Sequence, residues 1–153
     1  MRGAKRKKQL MAALQKTVRK KGAEKYLSSL HQKVFTEIEC LKCAGCCQHI
    51  SPRFKTPDVK RISKFLGIKE SVLIANYLHL DEDGDYVTNT HPCPFLGKQN
   101  YCSIYECRPG DCRKYPHTDS ADFFSYPATT EQNIRICPAV VRVLEWIEVA
   151  MHH

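Results

Sequence analysis

Apolar residues recur at helical spacing in two blocks near the start of the chain. Leu10, Leu14 and Val18 stand at i, i+4 and i+8 and predict a helix over residues 4–21 with a narrow apolar side. Gly22 interrupts it, and Leu27, Leu30, Val34 and Phe35 renew the pattern over residues 23–36. Further on, Ser51-Pro52 reads as a loop. Thr56-Pro57-Asp58 predicts a helix start, with Thr56 as N-cap, Pro57 at the first helical position and an acid in the first turn. That helix runs to Leu66 with Val59, Ile62, Phe65 and Leu66 inward and Gly67 at its end. Ser71 is the expected cap of a short second helix carrying Val72, Leu73, Ile74, Tyr77 and Leu78.

Tyr86-Val87-Thr88 and Tyr101-Cys102-Ser103-Ile104-Tyr105 are β-leaning and predict a small hairpin or ribbon. Asp81-Glu82-Asp83-Gly84-Asp85 lacks the glycine and glutamate positions of a calcium loop and reads as an acidic turn. Residues 117–133 read mostly as loop. From Pro138 to about Met151, Val140, Val141, Leu144, Trp146 and Ile147 predict a helix with a broad apolar face. The expected fold is helix-rich α+β: a small single domain with a short β ribbon and cysteine-bearing loops gathered around a metal centre.

The formal charge of +8 changes this picture only locally. Residues 1–25 hold ten Lys/Arg and one acid, Glu24, so the other 128 residues sum to about −1. The division expected from this is a basic N-terminal helical arm, residues 1–36, and a metal-binding domain, residues 37–151. A solvated arm outweighs contact with nucleic acid through residues 2–25, which is not favoured. The apolar stretch Leu10–Leu14 is too short for a signal peptide, and no run is long enough for a membrane span, so a cytoplasmic location is expected.

Nine cysteines, four of them within Cys40-Leu41-Lys42-Cys43-Ala44-Gly45-Cys46-Cys47, bring in the chemistry. The C-x-x-C spacing lets neighbouring backbone turns aim sulfurs at one point, as in zinc sites and iron–sulfur clusters. Cys40, Cys43 and Cys46 repeat the first three positions of the bacterial ferredoxin run, whose fourth position is missing here. A further ligand must therefore come from a distant stretch. In extended or loop backbone Cys47 faces away from Cys46 and towards a second site. A reducing compartment and an odd cysteine count both argue against a complete set of disulfides. Cys112, in the first turn after Pro109, and Cys137, the expected N-cap before Pro138, sit where a helix N-terminus favours the thiolate.

The order of these motifs resembles the YkgJ-like cysteine-cluster family, a zinc- or iron-chelating domain named for its C-x-x-C-x-x-C-C run. The resemblance is carried by Cys40 to Cys47, Cys93-Pro94-Phe95-Leu96, Cys102-Ser103-Ile104-Tyr105, Arg108-Pro109-Gly110-Asp111-Cys112-Arg113-Lys114-Tyr115-Pro116 and Cys137-Pro138, over roughly residues 38–145. It implies eight cysteine ligands, Cys40, Cys43, Cys46, Cys47, Cys93, Cys102, Cys112 and Cys137, and leaves Cys107 as the extra thiol. The domain is also similar to the cysteine-rich part of flagellin lysine N-methylases, which implies a redox or methyl-transfer role.

Eight thiolates suit two zinc ions, one cluster with a separate zinc, or one cluster with spare thiols. The ferredoxin spacing and the remote remaining ligands favour an iron–sulfur cluster of the 4Fe-4S type over zinc, the alternative. Lys42, Arg108, Arg113 and Lys114 are near enough in sequence to offset the resulting negative charge. His49, His91 and His117 are read as surface or hydrogen-bonding residues, and His152-His153 as a terminal pair. No catalytic group is assigned. The functional expectation is a metal-binding protein with a redox or protein partner. The alternative is a structural zinc module whose basic arm contacts nucleic acid or another acidic partner.

Overall fold

The computed structural model describes residues 2–120 and 126–151, and His152 and His153 lie outside them. The chain divides into a helical unit within residues 1–39 and 116–153 and a cysteine-rich unit, residues 40–115. The fold is helix-rich α+β with a small three-stranded antiparallel sheet.

The helical unit comprises α1 (Arg2–Val18), α2 (Ala23–Glu37), α8 (Pro127–Ile136) and α9 (Pro138–Met151). α9 is its centre, because Val140, Val143, Leu144 and Ile147 are fully buried and α1, α2 and α8 all pack against it. α1 is not the solvated helix expected from its charge. Leu10, Met11, Ala13 and Leu14 all lie in the core beside Leu27, Leu30 and Val34. Burial of these side chains outweighs the cost of helix formation in so basic a segment. At the edges of the buried side, Arg6 pairs with Glu148 and Lys7 with Glu131, pinning α1 to α9 and α8. α8 begins inside the stretch expected as mostly loop, residues 117–133, and runs three residues past it. Its buried residues are Thr130 and Asn133, so no aliphatic repeat marks it, and Pro127 pre-sets its first turn.

The cysteine-rich unit begins with two short helical turns, α3 (Cys40–Cys43) and α4 (Gly45–His49), and continues through β1 (Arg53–Phe54), α5 (Thr56–Leu66) and α6 (Glu70–Tyr77). β2 (Leu78–Leu80) and β3 (Tyr86–Thr88) follow, then 3₁₀ turns at Lys98–Asn100 and Tyr105–Cys107, and α7 (Gly110–Lys114). The strands lie in the order β1-β3-β2, with His79 and Arg53 both opposite Val87. Asp81 closes the β2–β3 turn, its Oδ1 accepting the backbone N–H groups of Asp83 at 3.0 Å and Asp85 at 2.8 Å. Because β3 is paired on both sides, Tyr101–Tyr105 finds no free edge there and does not form the expected ribbon partner. One bridge, Leu96 to Cys102, is all the pairing it makes among the described residues.

Both helix starts differ by a residue or two from expectation. The N-cap of α5 is Lys55, whose N–H donates to Asp58 Oδ2 at 3.0 Å, so the carboxylate at the third helical position caps the turn in place of Thr56. α6 starts after Lys69, which places Ser71 inside it. Phe65 is 55% exposed, since it stands about 100° around the helix from the Val59, Ile62 and Leu66 stripe. The core of this unit is Phe54, Val59, Ile62, Leu73, Leu78, Phe95, Ile104 and Cys107.

Candidate metal centre

Two turns of helix carry the densest thiols. Cys40 and Cys43 are one turn apart on α3, which places both on one side of it. Ala44, 2% exposed and held at φ 49°, then reverses the chain into α4. A left-handed alanine costs about 1–2 kcal/mol, and such strain persists where the surroundings fix it. Here Ala44 N–H donates to Cys40 O at 3.0 Å, and Ala44 O accepts from Gln48 N–H at 3.2 Å. The backbone at Cys46 and Cys47 is therefore helical, not extended, and Cys47 does not face away. The Cys47 side chain, hydrogen-bonded to Cys46, and then burial push the Cys46 thiol up.

Backbone hydrogen bonds bring the distant stretches to these turns. Cys93 N–H donates to Cys47 O at 2.7 Å, and Asn100 Nδ2 donates to Lys42 O at 2.9 Å. Burial pushes the Cys93 thiol up, while the N–H groups of Phe95 and Leu96 act on its sulfur in the opposite sense. Cys102 is likewise raised by burial, and the Ile104 N–H and Arg108 favour its thiolate. Both sulfurs thus sit where amide dipoles accept a negative charge.

The thiols feel one another. Cys46 raises Cys40, Cys93, Cys102 and Cys112, and Cys43 also raises Cys40. Cys112 is pushed up first by burial and then by Cys46, Cys93 and Cys102. The sulfurs of Cys40, Cys43, Cys46, Cys47, Cys93, Cys102 and Cys112 are linked in this way, and Cys107 joins them through its effect on Cys102.

Cys107 lies in the apolar core at 6% exposure, and its sulfur raises Cys102. Cys137 belongs to the helical unit, between α8 and α9, its N–H donating to Asn133 O at 2.8 Å. All nine cysteines are free thiols. His91 Nε2 lies 3.0 Å from Ser51 Oγ, a hydrogen-bonding role, and His49 is exposed on α4.

Charged residues around the thiols hold the segment that carries Cys112. Asp58 is buried, and its Oδ1 accepts from Arg61 Nη2 at 2.7 Å and from Gly110 N–H at 3.1 Å. Arg61 reaches on to Cys107 O through Nε at 3.1 Å and to Arg108 O through Nη2 at 2.9 Å. From β1, Arg53 Nε donates to Asp111 Oδ2 at 2.9 Å. Arg108 stacks on Tyr105, 3.9 Å from the ring centroid, and its charge favours the thiolates of Cys40 and Cys102. Of the four cations expected from sequence to offset the site, Arg108 acts on two of its thiols. Arg113 acts on Cys107. The Asp58–Arg61 pair is absent from the sequence candidates. Its i,i+3 spacing on α5 is the one trace it leaves in the sequence.

Among the described residues no group of three His, Cys, Asp or Glu side chains is arranged to hold a metal ion. The chemistry of the donor set nonetheless fits a thiophilic metal: clustered sulfurs from four stretches, amide N–H groups aimed at two of them, and a guanidinium alongside. Thiolates in such a cluster repel one another, and a cation among them removes that repulsion.

The family model described as "CxxCxxCC: Putative zinc- or iron-chelating domain" matches residues 39–138, more than half of the chain. Comparison with curated proteins and with solved structures gives no match.

Proposed function

Because the chain belongs to the CxxCxxCC family of zinc- or iron-chelating domains, we propose that its cysteine-rich unit holds iron, as an iron–sulfur centre of the 4Fe-4S type. The proposed ligands come from Cys40, Cys43, Cys46, Cys47, Cys93, Cys102 and Cys112. The observation that carries this reading is the joining of distant stretches to the cysteine run, with Cys93 N–H donating to Cys47 O at 2.7 Å and Asn100 Nδ2 to Lys42 O at 2.9 Å. An inert core has no reason to collect ionisable sulfurs, since each raises the cost of charging the others.

Iron–sulfur is preferred to zinc for two reasons. Cys40, Cys43 and Cys46 keep the ferredoxin spacing. The remaining cysteines are also single and remote in sequence, whereas separate structural zincs show paired C-x2-C knuckles, and the chain has one such run. When bound, such a centre supplies one-electron redox chemistry. The chain's own contribution is to hold the sulfurs, to exclude water with Phe95, Ile104 and Tyr105, and to place the Arg108 charge beside Cys40 and Cys102. Electron transfer to a redox partner is the role assigned.

Anaerobic purification followed by metal and acid-labile sulfide analysis tests it. A brown protein with iron and sulfide in equal amounts is expected. A colourless protein with stoichiometric zinc replaces the iron–sulfur reading with the structural zinc one. A folded protein that takes up neither metal overturns both.

A further inference from the structure

The helical unit carries a charged surface that metal chelation does not use. On α1, Lys5, Lys8, Ala12 and Lys16 are exposed at spacings of three or four residues, and Arg19 continues the row just past the last turn. At 100° per residue these positions form one stripe opposite Leu10, Leu14 and Thr17, which are buried. Arg6 and Lys7, at the edges of the buried side, are paired with Glu148 and Glu131. The cations of the outward stripe pair with no acid among the described residues. Lys20 and Lys21, both exposed, extend it into the turn before α2.

Two features select the partner. The outward stripe holds only Lys, Arg, Gln and Ala, and the apolar side of α1 is spent on the core of the unit. An interfacial helix needs that apolar side free to enter the headgroup region. A membrane surface is therefore the poorer fit. The cations also fall into two doublets, Lys5 with Lys8 and Lys16 with Arg19. The helix axis between Lys8 and Lys16 is about 12 Å at 1.5 Å per residue, close to the width of the major groove of B-form DNA. A rigid helix with this spacing sets one doublet on each of the two backbones that border the groove. Small Ala12 and uncharged Gln15 then face the groove between them.

We propose that the outward stripe of α1 binds the phosphodiester backbone of duplex nucleic acid without reading its sequence. The charge is ordered because α1 is packed and pinned, so binding does not have to order the helix that presents it. This inference is independent of the metal reading, since every residue it uses lies in the helical unit.

The test is fluorescence anisotropy of the full chain with a labelled duplex of about 20 base pairs, across a salt series. Four phosphate contacts predict a slope of log K against log salt of about −3.6, with dissociation constants of roughly 1–100 µM at physiological salt. Replacing Lys5, Lys8, Lys16 and Arg19 together by Gln is expected to weaken binding by at least roughly tenfold and flatten the slope towards zero. The helical circular dichroism signal should not change, because all four positions are exposed.

Absence of salt-dependent binding by the unmodified chain overturns the proposal, as does an unchanged slope in the quadruple variant. Two controls share the assay. Phosphatidylserine vesicles that bind where the duplex does not point to a membrane surface, and polyglutamate that competes as well as the duplex points to an acidic protein. Either result also overturns it.

Discussion

Arg61 Nη2 donates to Asp58 Oδ1 at 2.7 Å, and the same guanidinium also donates to the carbonyls of Cys107 and Arg108. One ion pair thus fastens the entry to α7 onto α5. Asp58 does most of this work from a buried position, because its carboxylate also accepts the N–H groups of Lys55 and Gly110. Burial alone pushes its pKa up. The hydrogen bonds from Arg61, Lys55 and Gly110 outweigh burial and hold it below the ordinary carboxylate value.

Asp58→Ala is therefore expected to destabilise the cysteine-rich unit by about 2–3 kcal/mol, the range for losing charged hydrogen bonds to a buried acceptor. The sign of the pH effect follows from the lowered pKa. Asp58 contributes its stability above the carboxylate's unfolded value, and that contribution is lost as pH falls through the folded value. Urea denaturation between neutral pH and the acid range, compared with Asp58→Asn, checks it. A variant as stable as the parent at neutral pH sinks the assignment.

Cys46 and Cys107 are expected to behave oppositely. Cys46→Ser removes the sulfur that acts on four other thiols, and metal per chain after anaerobic reconstitution should fall to less than half. Cys107 is in the apolar core, so Cys107→Ala, which avoids burying a hydroxyl, should retain full metal at a stability cost of about 1 kcal/mol. Equal metal loss in both variants removes Cys46 from the centre of the site.

The helices with aliphatic stripes are legible in the sequence, and so is the grouping of cysteines into motifs. Leu27, Leu30 and Val34 on α2 and Val140, Leu144 and Ile147 on α9 are buried where periodicity puts them. What stays hidden depends on pairing across the chain. α8 buries Thr130 and Asn133, so it has no apolar repeat to read. The strand partners of Tyr86–Thr88 are Arg53–Phe54, two residues long, and Leu78–Leu80, which directly follows a helix. Counting charges over residues 1–25 also misleads where a helix has two sides: the basic residues of α1 suggest a solvated arm, whereas Leu10 and Leu14 bury its other side. At the candidate site, the sulfurs are legible as a set, whereas the clasp of Arg61 on two carbonyls of Cys107 and Arg108 has no sequence signature.

Arg108 offers a test of the charge around the sulfurs. Its guanidinium is held over Tyr105 and by a bond from Nη1 to Tyr105 O at 2.6 Å, which fixes its position beside Cys40 and Cys102. Outer-shell residues of metal sites typically change affinity by about 10–100-fold. Arg108→Gln should accordingly speed metal loss to a chelator by roughly tenfold. Arg108→Lys, which keeps the charge but loses the stacked fork, should fall between the two. Metal release at the parent rate in Arg108→Gln shows that the charge plays no part.

The packing of α1 makes the helical unit sensitive to its first helix. Leu14 is 2% exposed and touches the cluster built on Val143 and Leu144, so Leu14→Ala leaves a cavity there and should cost about 2.5–5 kcal/mol. Lys16→Ala, two residues on and exposed, should cost no more than about 0.5 kcal/mol. Trp146, the one tryptophan, reports on this unit directly: Lys33 Nζ lies 3.5 Å from the centroid of its ring, and the indole packs against the same core. Thermal unfolding followed by Trp146 fluorescence should show the large shift for Leu14→Ala and almost none for Lys16→Ala. Removal of residues 1–21 should expose the core side of α9 and abolish the cooperative transition. A truncated chain that keeps the parent's Trp146 transition means that α1 is an appendage, and its stripe of cations then loses the rigid base on which the nucleic-acid proposal stands.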